Sequence, residues 1–332
     1  MKKKKILLIL TGGTFGMAEG PKENVLTTTG LDGKNIIDAV PEVKQLADLD
    51  WVSIFNLDSS DVSPTHWENI ANTIKDKYAD YDGFVVIHGT DTMVYSATAI
   101  SFIMKHTEKP VIFTGSQRPL SKIRTDARDN FINSVEFATM DIPEVAICFG
   151  DELLRGNRSK KISIDEYKAF KTYNYPTLAK VGVNIELRNM HFRKAQTPEW
   201  NFGFNTNIAL LKIFPGMSAD LLKDSLISGR VKGVILEGFG SGNLPEFDES
   251  WLNLIAELKK LMVPTVITSQ CPQGMVNLKA YEHGIKAVHK GAISCGGITT
   301  ESAVVKLMFA LERCEYYNDI VDFMRKNYCD EM

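Results

Sequence analysis

Hydroxyl and carboxyl side chains recur in this sequence at the ends of short apolar runs. A serine or threonine hydroxyl becomes a nucleophile once a base takes its proton, and an aspartate can orient such a base. The pattern therefore indicates nucleophilic chemistry, provided that the fold brings the ends of the four runs together. The residues at these ends are Thr14, Asp58, Ser59, Ser60, Thr90, Asp91 and Ser116.

Thr14 has two interpretations when it is taken alone. It follows an apolar run at residues 6–10, which is typical of a strand buried on both faces, and then Gly12 and Gly13. These glycines permit a tight turn and a close approach of the backbone to a bound molecule. The Thr14 hydroxyl could cap the next turn or act as a nucleophile. The segment has neither the lysine of a P-loop nor the glycine spacing of a dinucleotide site.

Clustered hydroxyls suggest a proton relay to a buried lysine that an acid orients. The sequence offers Asp91 beside Thr90, and it offers Lys160 and Lys161 in the basic segment at residues 155–161. For Lys161 taken alone, a solvated surface charge is the competing interpretation.

Other side chains of this region have a structural alternative that we favour. His88 could be a general base, but its place between a buried run and a glycine predicts a fixed structural hydrogen bond. Trp51, Trp67 and Phe84 could line a pocket, but their periodicity predicts packing in the core.

The elements that must position these residues alternate between strands and helices, which predicts a parallel sheet covered on both faces. In a doubly wound sheet the carboxyl ends of parallel strands share one edge, so the four ends should meet in one crevice. Strands are predicted at residues 6–10, 51–57, 83–87, 110–113 and 145–149, and helices at 35–46, from 64 onward, at 96–104 and at 126–140.

A second strand-and-helix series begins at residue 208, after a polar, aperiodic stretch at residues 186–206. We therefore predict an N-terminal α/β catalytic domain with a doubly wound, mainly parallel sheet at residues 1–190. A linker follows at 191–207, and a smaller α/β domain at 208–332. Residues 18–34 are predicted to form a loop whose length is typical of functional loops.

Composition excludes several classes of protein. The 332 residues are 44% hydrophobic and 24% charged, with a net charge of −3, which is ordinary for a folded chain and gives no electrostatic case for nucleic acid or an anionic membrane. The apolar run at 6–10 is too short to span a membrane or to form a signal peptide. Five scattered cysteines lack zinc-site spacing, so we expect free thiols in a reducing cytoplasm and no metal.

Several segments, taken together, resemble the bacterial cytoplasmic (type I) L-asparaginases. The resemblance covers nearly the whole chain, and the succession of TGGT and HGTD is its most specific part. The segments are TGGTFGM at 11–17, DSSD at 58–61, HGTDTM at 88–93, TGSQRPL at 114–120, RGNRSKK at 155–161, FPG at 214–216, GSGNL at 240–244 and SQC at 269–271.

The resemblance implies a cofactor-free amidohydrolase that converts L-asparagine to L-aspartate and ammonia. Thr14 would match the nucleophile that forms an acyl-enzyme, and Thr90, Asp91 and Lys161 would match the groups that carry protons. The segment at 58–60 would hold the α-carboxylate of the substrate, and Asp91 its α-amino group. A backbone N–H near Thr90 and Ser116 could receive the oxyanion. The residues matched to substrate binding are Asp58, Ser59, Ser60, Thr90, Asp91 and Ser116.

The resemblance also implies a homodimer or homotetramer in the cytoplasm. Asn243 would match a segment that reaches the site of a neighbouring subunit. Some type I enzymes have an allosteric asparagine site, and the matching positions are Glu237, Lys160 and Cys271. Glu237 stands where a positive charge is expected, so regulation by asparagine stays an open alternative.

One departure from the family keeps two other functions open. The loop after the first threonine usually carries a tyrosine in this family, but residues 18–33 contain none, and the nearest matches are Asn24 and Val25. A non-catalytic amino-acid sensor is therefore one alternative. An ammonia-supplying amidotransferase subunit is the other alternative. Such subunits carry an extra N-terminal domain, whereas the catalytic stretch begins near residue 1 here. We therefore expect the asparaginase.

Overall fold

A computed structural model describes residues 2–19, 26–28 and 32–332. The chain divides into two compact units, Met1–Phe202 and Gly203–Met332, and each unit has its own sheet and its own core. The prediction of two α/β domains is therefore confirmed, while the bounds given for the linker stay a prediction. Of the loop predicted at 18–34, residues 20–25, which include Asn24 and Val25, and residues 29–31 lie outside the described residues. The loop prediction is wrong for part of the rest, because Leu26–Thr28 form a short strand that pairs with Met17–Glu19 and a helix begins at Gly33.

The first unit contains, within its described residues, twelve strands and five α-helices. The strands are β1 (Lys5–Gly12), β2 (Met17–Glu19), β3 (Leu26–Thr28), β4 (Asp48–Leu57), β5 (Gly83–Ile87), β6 (Val111–Thr114), β7 (Val145–Phe149), β8 (Glu152–Arg155), β9 (Ser159–Lys161), β10 (Phe170–Thr172), β11 (Ala179–Val181) and β12 (Ile185–Leu187). The helices are α1 (Gly33–Ala39), α2 (Val43–Leu46), α3 (Pro64–Lys77), α4 (Met93–Ile103) and α5 (Ala127–Ala138).

The main sheet of the first unit has the order β12-β11-β8-β7-β6-β5-β1-β4 among the described strands. Strands β4, β1, β5, β6 and β7 are parallel, and β8, β11 and β12 extend the sheet antiparallel at one edge. The chain passes from β1 to β4 on one side and later adds β5 on the other side. The strand order therefore reverses at β1, and ligands of open α/β sheets bind at the carboxyl ends of strands at such a point.

Both faces of the central strands are covered, as the continuous apolar runs predict. Leu8 and Val85 pack with Phe131 of α5 in one core cluster. The alternate residues Leu7 and Val86, which point to the other face, are buried as well. Burying each of these side chains contributes about 1.5–3 kcal/mol, so the sheet is a rigid base for the loops at its edge.

Two further predictions about the fold differ from the structure. The helix predicted at 35–46 is divided into α1 and α2, because Pro41 lies between them and disfavours a helical residue before it. Core packing is confirmed for Trp67 and Phe84 but is wrong for Trp51, which is 44% exposed. Trp51 belongs to β4, the edge strand of the sheet, and its indole covers Gly33.

The second unit is a smaller parallel α/β unit, as predicted. Its strands have the order β13-β14-β15-β16, so the described strands contain no reversal like that at β1. Trp251, Leu236 and Ile267 lie in its core. The strands are β13 (Ile208–Lys212), β14 (Gly233–Gly238), β15 (Thr265–Ser269) and β16 (Ala292–Ser294), and the helices are α6 (Lys223–Ile227), α7 (Ser250–Lys260), α8 (Glu282–Lys290), α9 (Thr300–Arg313) and α10 (Tyr317–Arg325).

Glycines allow the loops after the strands of the first unit to touch backbone to backbone. Gly13 has a φ of +84°, and a Cβ atom there would lie 2.4 Å from the Cα atom of Gly89. A Cβ atom on Gly89 would lie 2.6 Å from the Cβ atom of Ser59. The sequence suggested that the glycines after β1 make room for a bound molecule, but the neighbours of Gly13 include the backbone of the loop after β5.

We predict that Gly13→Ala lowers the free energy of unfolding of the first unit by roughly 2–4 kcal/mol, because it combines a disfavoured φ with a backbone clash. Gly150→Ala is the matched control in the same unit, since Gly150 has a φ of +63° but a Cβ atom there would lie 3.5 Å from its nearest neighbour, an ordinary contact. Its cost should be about 1 kcal/mol. Urea denaturation measures both values, and equal losses would contradict the close approach at Gly13.

Candidate active site

The loops after β1, β4, β5 and β6 adjoin one another in the first unit. Gly13 contacts Gly89, and Gly89 contacts Ser59. A Cβ atom on Gly115 would lie 2.3 Å from the carbonyl oxygen of His88, so the loop after β6 joins the same group. The four strand ends therefore adjoin one another, as predicted, while the crevice that they were expected to line stays a prediction.

Thr14 is the first residue of a 3₁₀ turn, Thr14–Gly16, and it is half-buried. Gly13 occupies the capping position of this turn, and no side chain caps it. The capping interpretation of Thr14 is therefore wrong. The structural threonine of the TGGT segment is Thr11, whose buried hydroxyl donates to the carbonyl oxygen of Ile87 at 2.9 Å and so ties β1 to β5.

Lys161 joins the two polar residues that follow β5. Its Nζ donates to Thr90 Oγ1 at 2.8 Å and to Asp91 Oδ1 at 2.7 Å. The Lys161 side chain is only 17% exposed, so the interpretation as a solvated surface charge is wrong. An ammonium group, a hydroxyl and a carboxylate in direct contact form a path along which a proton can move.

A buried ion pair anchors the segment that carries Lys161. Arg155 Nη2 donates to Glu144 Oε1 at 2.6 Å, and Arg155 Nε donates to Glu144 Oε2 at 3.2 Å. The same carboxylate accepts from the backbone N–H of Arg193 at 2.8 Å. Ser159, which begins β9, donates from its hydroxyl to the carbonyl oxygen of Arg155 at 2.7 Å. The path of the chain that leads to Lys161 is thus fixed at Arg155.

In the loop after β4, Ser59 is buried beside Gly89, whereas Asp58 and Ser60 are exposed to solvent. Ser59 is buried against Gly89, and its carbonyl oxygen accepts from the Thr92 hydroxyl at 2.7 Å. Asp58 accepts from the backbone N–H of Ser60 at 2.9 Å and from the Ser60 hydroxyl at 2.8 Å. The first of these bonds is the main cause that lowers the pKa of the Asp58 carboxyl, which therefore stays charged.

The loop after β6 contributes Ser116 and also Gln117, which the sequence-based choice of residues did not include. Ser116 is 1% exposed, and its hydroxyl has no hydrogen-bond partner among the described residues. Gln117 accepts from the Thr90 hydroxyl at 3.4 Å. Gln117 stands next to Ser116 in the sequence, but an amide does not titrate, so acid–base reasoning had no reason to select it.

His88 has the structural role that its sequence position predicts. Its Nδ1 lies 2.7 Å from the carbonyl oxygen of Gly89, which can only accept, so Nδ1 donates. Its Nε2 lies 2.9 Å from the hydroxyl of Ser96. Burial lowers the pKa of His88 to about 4, so the imidazole is neutral at pH 7 and fixes the loop that carries Thr90.

Three of the predicted intersubunit or allosteric residues belong to the second unit, whereas Lys160 belongs to β9 of the first. Asn243 closes a turn after β14, where its N–H and C=O both bond to the backbone of Phe239. Glu237 accepts from the Thr300 hydroxyl at 2.9 Å, and Cys271 is exposed. These contacts leave the roles of the four residues a prediction.

Within the described ranges, no helix is long and apolar enough to cross a lipid bilayer. The same residues contain no group of three or more histidine, cysteine, aspartate or glutamate side chains that could hold a metal ion.

Family comparisons cover both units. Residues 5–193 match the family described as asparaginase, N-terminal, and residues 207–324 match the family described as glutaminase/asparaginase C-terminal domain. Together the two matches span most of the chain.

Individual proteins show the same similarity over almost the full length. L-asparaginase 1 of Escherichia coli K12 is 34% identical over 326 residues, which cover 94% of this chain and 93% of that protein. The structure of the thermostable L-asparaginase from Thermococcus kodakarensis has a TM-score of 0.92 at 30% identity and covers 99% of both chains. A glutamyl-tRNA(Gln) amidotransferase subunit of Pyrococcus abyssi is 32% identical, over 99% of this chain and 76% of that protein.

We predict that the buried neutral His88 makes stability depend on pH. Its pKa is about 4 in the folded state against 6.5 as the ordinary value, so the unfolded chain binds a proton first as the pH falls. The stability that neutral His88 provides is complete above pH 6.5 and is lost as the pH falls toward 4. The free energy of unfolding should therefore decrease by roughly 2 kcal/mol between pH 8 and pH 5. Urea denaturation of the wild type and His88→Gln at both pH values measures this. An equal pH dependence of the two proteins would contradict the prediction.

Proposed function

The chain belongs to the asparaginase family, and we propose that it is a type I L-asparaginase, which hydrolyses L-asparagine to L-aspartate and ammonia. The observation that carries the proposal is the contact of Lys161 Nζ with Thr90 Oγ1 and Asp91 Oδ1 beside the loop of Thr14. Two hydroxyls and one proton-transfer group at a single sheet edge are what hydrolysis of an amide through a threonine ester requires.

In the proposed reaction, the Thr14 oxygen attacks the carbon of the side-chain amide as its proton leaves to a base. The amide C–N bond then breaks, the nitrogen takes up a proton and leaves as ammonia, and an aspartyl ester of Thr14 remains. Water hydrolyses this ester to release aspartate and restore the Thr14 hydroxyl. Thr90, Lys161 and Asp91 carry the protons in both halves of the reaction.

The substrate is zwitterionic at its α-carbon, so it needs partners for two charges, because an unpaired buried charge is costly. Asp91, whose side chain is 64% exposed, is proposed to bind the α-amino group. The segment from Asp58 to Ser60 is proposed to bind the α-carboxylate. For the oxyanion of the tetrahedral intermediate, we propose backbone N–H groups near Thr90 and Ser116.

The resemblance to type I enzymes supports three further proposals. The first is a homodimer or homotetramer in which Asn243 approaches the site of a neighbouring subunit. The second is a cytoplasmic location, which fits the five free cysteines. The third is regulation by asparagine at Glu237, Lys160 and Cys271. The negative charge of Glu237 would repel the carboxylate of such a ligand. The Glu237 carboxylate lies 3.9 Å from the ammonium group of Lys212.

A second candidate function is favoured by the 32% identity to a glutamyl-tRNA(Gln) amidotransferase subunit. In that case the same site would release ammonia for use by a partner protein. The two candidates differ in one measurable respect, since an asparaginase releases ammonia from free asparagine without a partner or an aminoacylated tRNA.

We predict that the purified protein releases ammonia from L-asparagine when it is alone. Thr14→Ala should lower kcat at least about 1,000-fold, because it removes the nucleophile. Thr90→Ala and Lys161→Met should each lower kcat by about 100-fold or more, because they interrupt proton transfer. A coupled ammonia assay measures these values.

Thr73→Ala is the matched control for the threonine changes, because Thr73 lies on α3 and its hydroxyl bonds to the helix backbone at Asn69. Its kcat should equal that of the wild type. Asparagine that raises the melting temperature without any release of ammonia would contradict the proposal and favour the sensor. Activity that appears only with a partner protein and tRNA would favour the amidotransferase.

A further inference from the structure

We propose that Gln117 is a positioning residue that fixes the direction of the Thr90 hydroxyl and so sets how Thr90 meets Lys161. This inference rests on the proposed function of the site. The side chain of Gln117 bridges the loop after β5 and the segment that follows Lys161.

The orientation of the Gln117 amide is set by its neighbours. Its Nε2 lies 3.2 Å from the carbonyl oxygen of Ser163 and 3.3 Å from that of Glu166. Carbonyl oxygens only accept, so the NH₂ group must face them. The Gln117 oxygen therefore faces Thr90, at 3.4 Å from Thr90 Oγ1, and it can only accept.

The consequence for Thr90 is that its proton points to Gln117. Its oxygen then presents lone pairs to the N–H groups of Lys161, which lies 2.8 Å away and also donates to Asp91. The arrangement favours Thr90 as an acceptor for Lys161. Among the residues that the structure describes, Thr14 is then the threonine of the pair whose hydroxyl makes no such bond.

The backbone of Gln117 is held as firmly as its side chain. The buried carboxylate of Asp126 accepts from the N–H of Gln117 at 2.9 Å and from the N–H of Arg118 at 3.1 Å. Asn130 donates from Nδ2 to the same carboxylate at 3.1 Å. Asp126 is the charged group bonded to the backbone of Gln117, and Lys161 is linked to its side chain through Thr90. Arg118, Arg124 and Asp165 line the same cavity as Gln117.

Two substitutions separate the positioning role from a tethering role. Gln117→Glu keeps an acceptor for Thr90 but loses both N–H donors to the carbonyls of Ser163 and Glu166. Gln117→Met loses both functions at similar length. A residue that only tethers the segment at 163–166 would be impaired equally by the two changes.

The positioning role predicts that Gln117→Met lowers kcat for L-asparagine roughly 10–100-fold and changes KM little, because the Thr90 hydroxyl is then free to rotate. Gln117→Glu should retain at least about 10-fold more activity than Gln117→Met. Gln45→Met, on an exposed residue of α2, is the matched control and should match the wild type.

The same variants can be compared without activity. In protein with ¹³C-labelled lysine, the NMR signal of the Lys161 side chain at pH 7 should move in Gln117→Met and stay in place in Gln45→Met. Equal kcat values for the Glu and Met variants, with an unmoved Lys161 signal in Gln117→Met, would overturn the proposal. A wild type that releases no ammonia would contradict the proposed function instead, while the Lys161 signal would still test the contact between Gln117, Thr90 and Lys161.

Discussion

The close approach of the loops after β1 and β5 is the constraint on which the rest of the site depends. Gly13 and Gly89 pack backbone against backbone, and a single Cβ atom at Gly13 would lie 2.4 Å from its neighbour. The approach occurs where the strand order reverses, so Thr14 and Thr90 follow adjacent strands at the edge where α/β sheets bind ligands. The strands that carry these two loops are buried on both faces, so they hold Thr14 and Thr90 at a fixed separation.

The lysine reaches this edge by a different route, from a short hairpin outside the main sheet. Lys161 ends β9, and the chain before it is anchored where Arg155 pairs with the buried Glu144. A buried ion pair contributes little net stability, since desolvation offsets most of its Coulomb energy, but removing one partner is costly. The pair therefore defines the path of this segment more than it strengthens the fold.

Much of the fold is predictable from the sequence, because the central strands are continuous apolar runs. The bounds predicted for β5 and β7 agree with the structure, since a glycine or a polar residue ends each run. Trp51 shows where such reasoning fails: alternation identifies a strand but does not tell an edge strand from a central one. Its exposure follows from the position of β4, which only the sheet order reveals.

The candidate site was predictable in part. Convergence of the strand ends follows from topology, but nothing in the sequence pattern pairs the β9–β10 hairpin with the loop after β5. The clustered hydroxyls suggested a lysine partner and offered Lys160 and Lys161, but only the family resemblance selected Lys161 as the partner of Thr90. Gln117 was missed because its contribution is the direction of a hydrogen bond, which composition and spacing do not encode.

Chemical identification of the covalent intermediate tests most directly whether Thr14 is the nucleophile. The protein would be mixed with L-asparagine, quenched with acid during turnover, digested, and searched by mass spectrometry for an aspartyl ester. We expect this ester on the peptide that contains Thr14, with Thr90 unmodified. An ester on Thr90, or continuing turnover in Thr14→Ala at the wild-type rate, would contradict it.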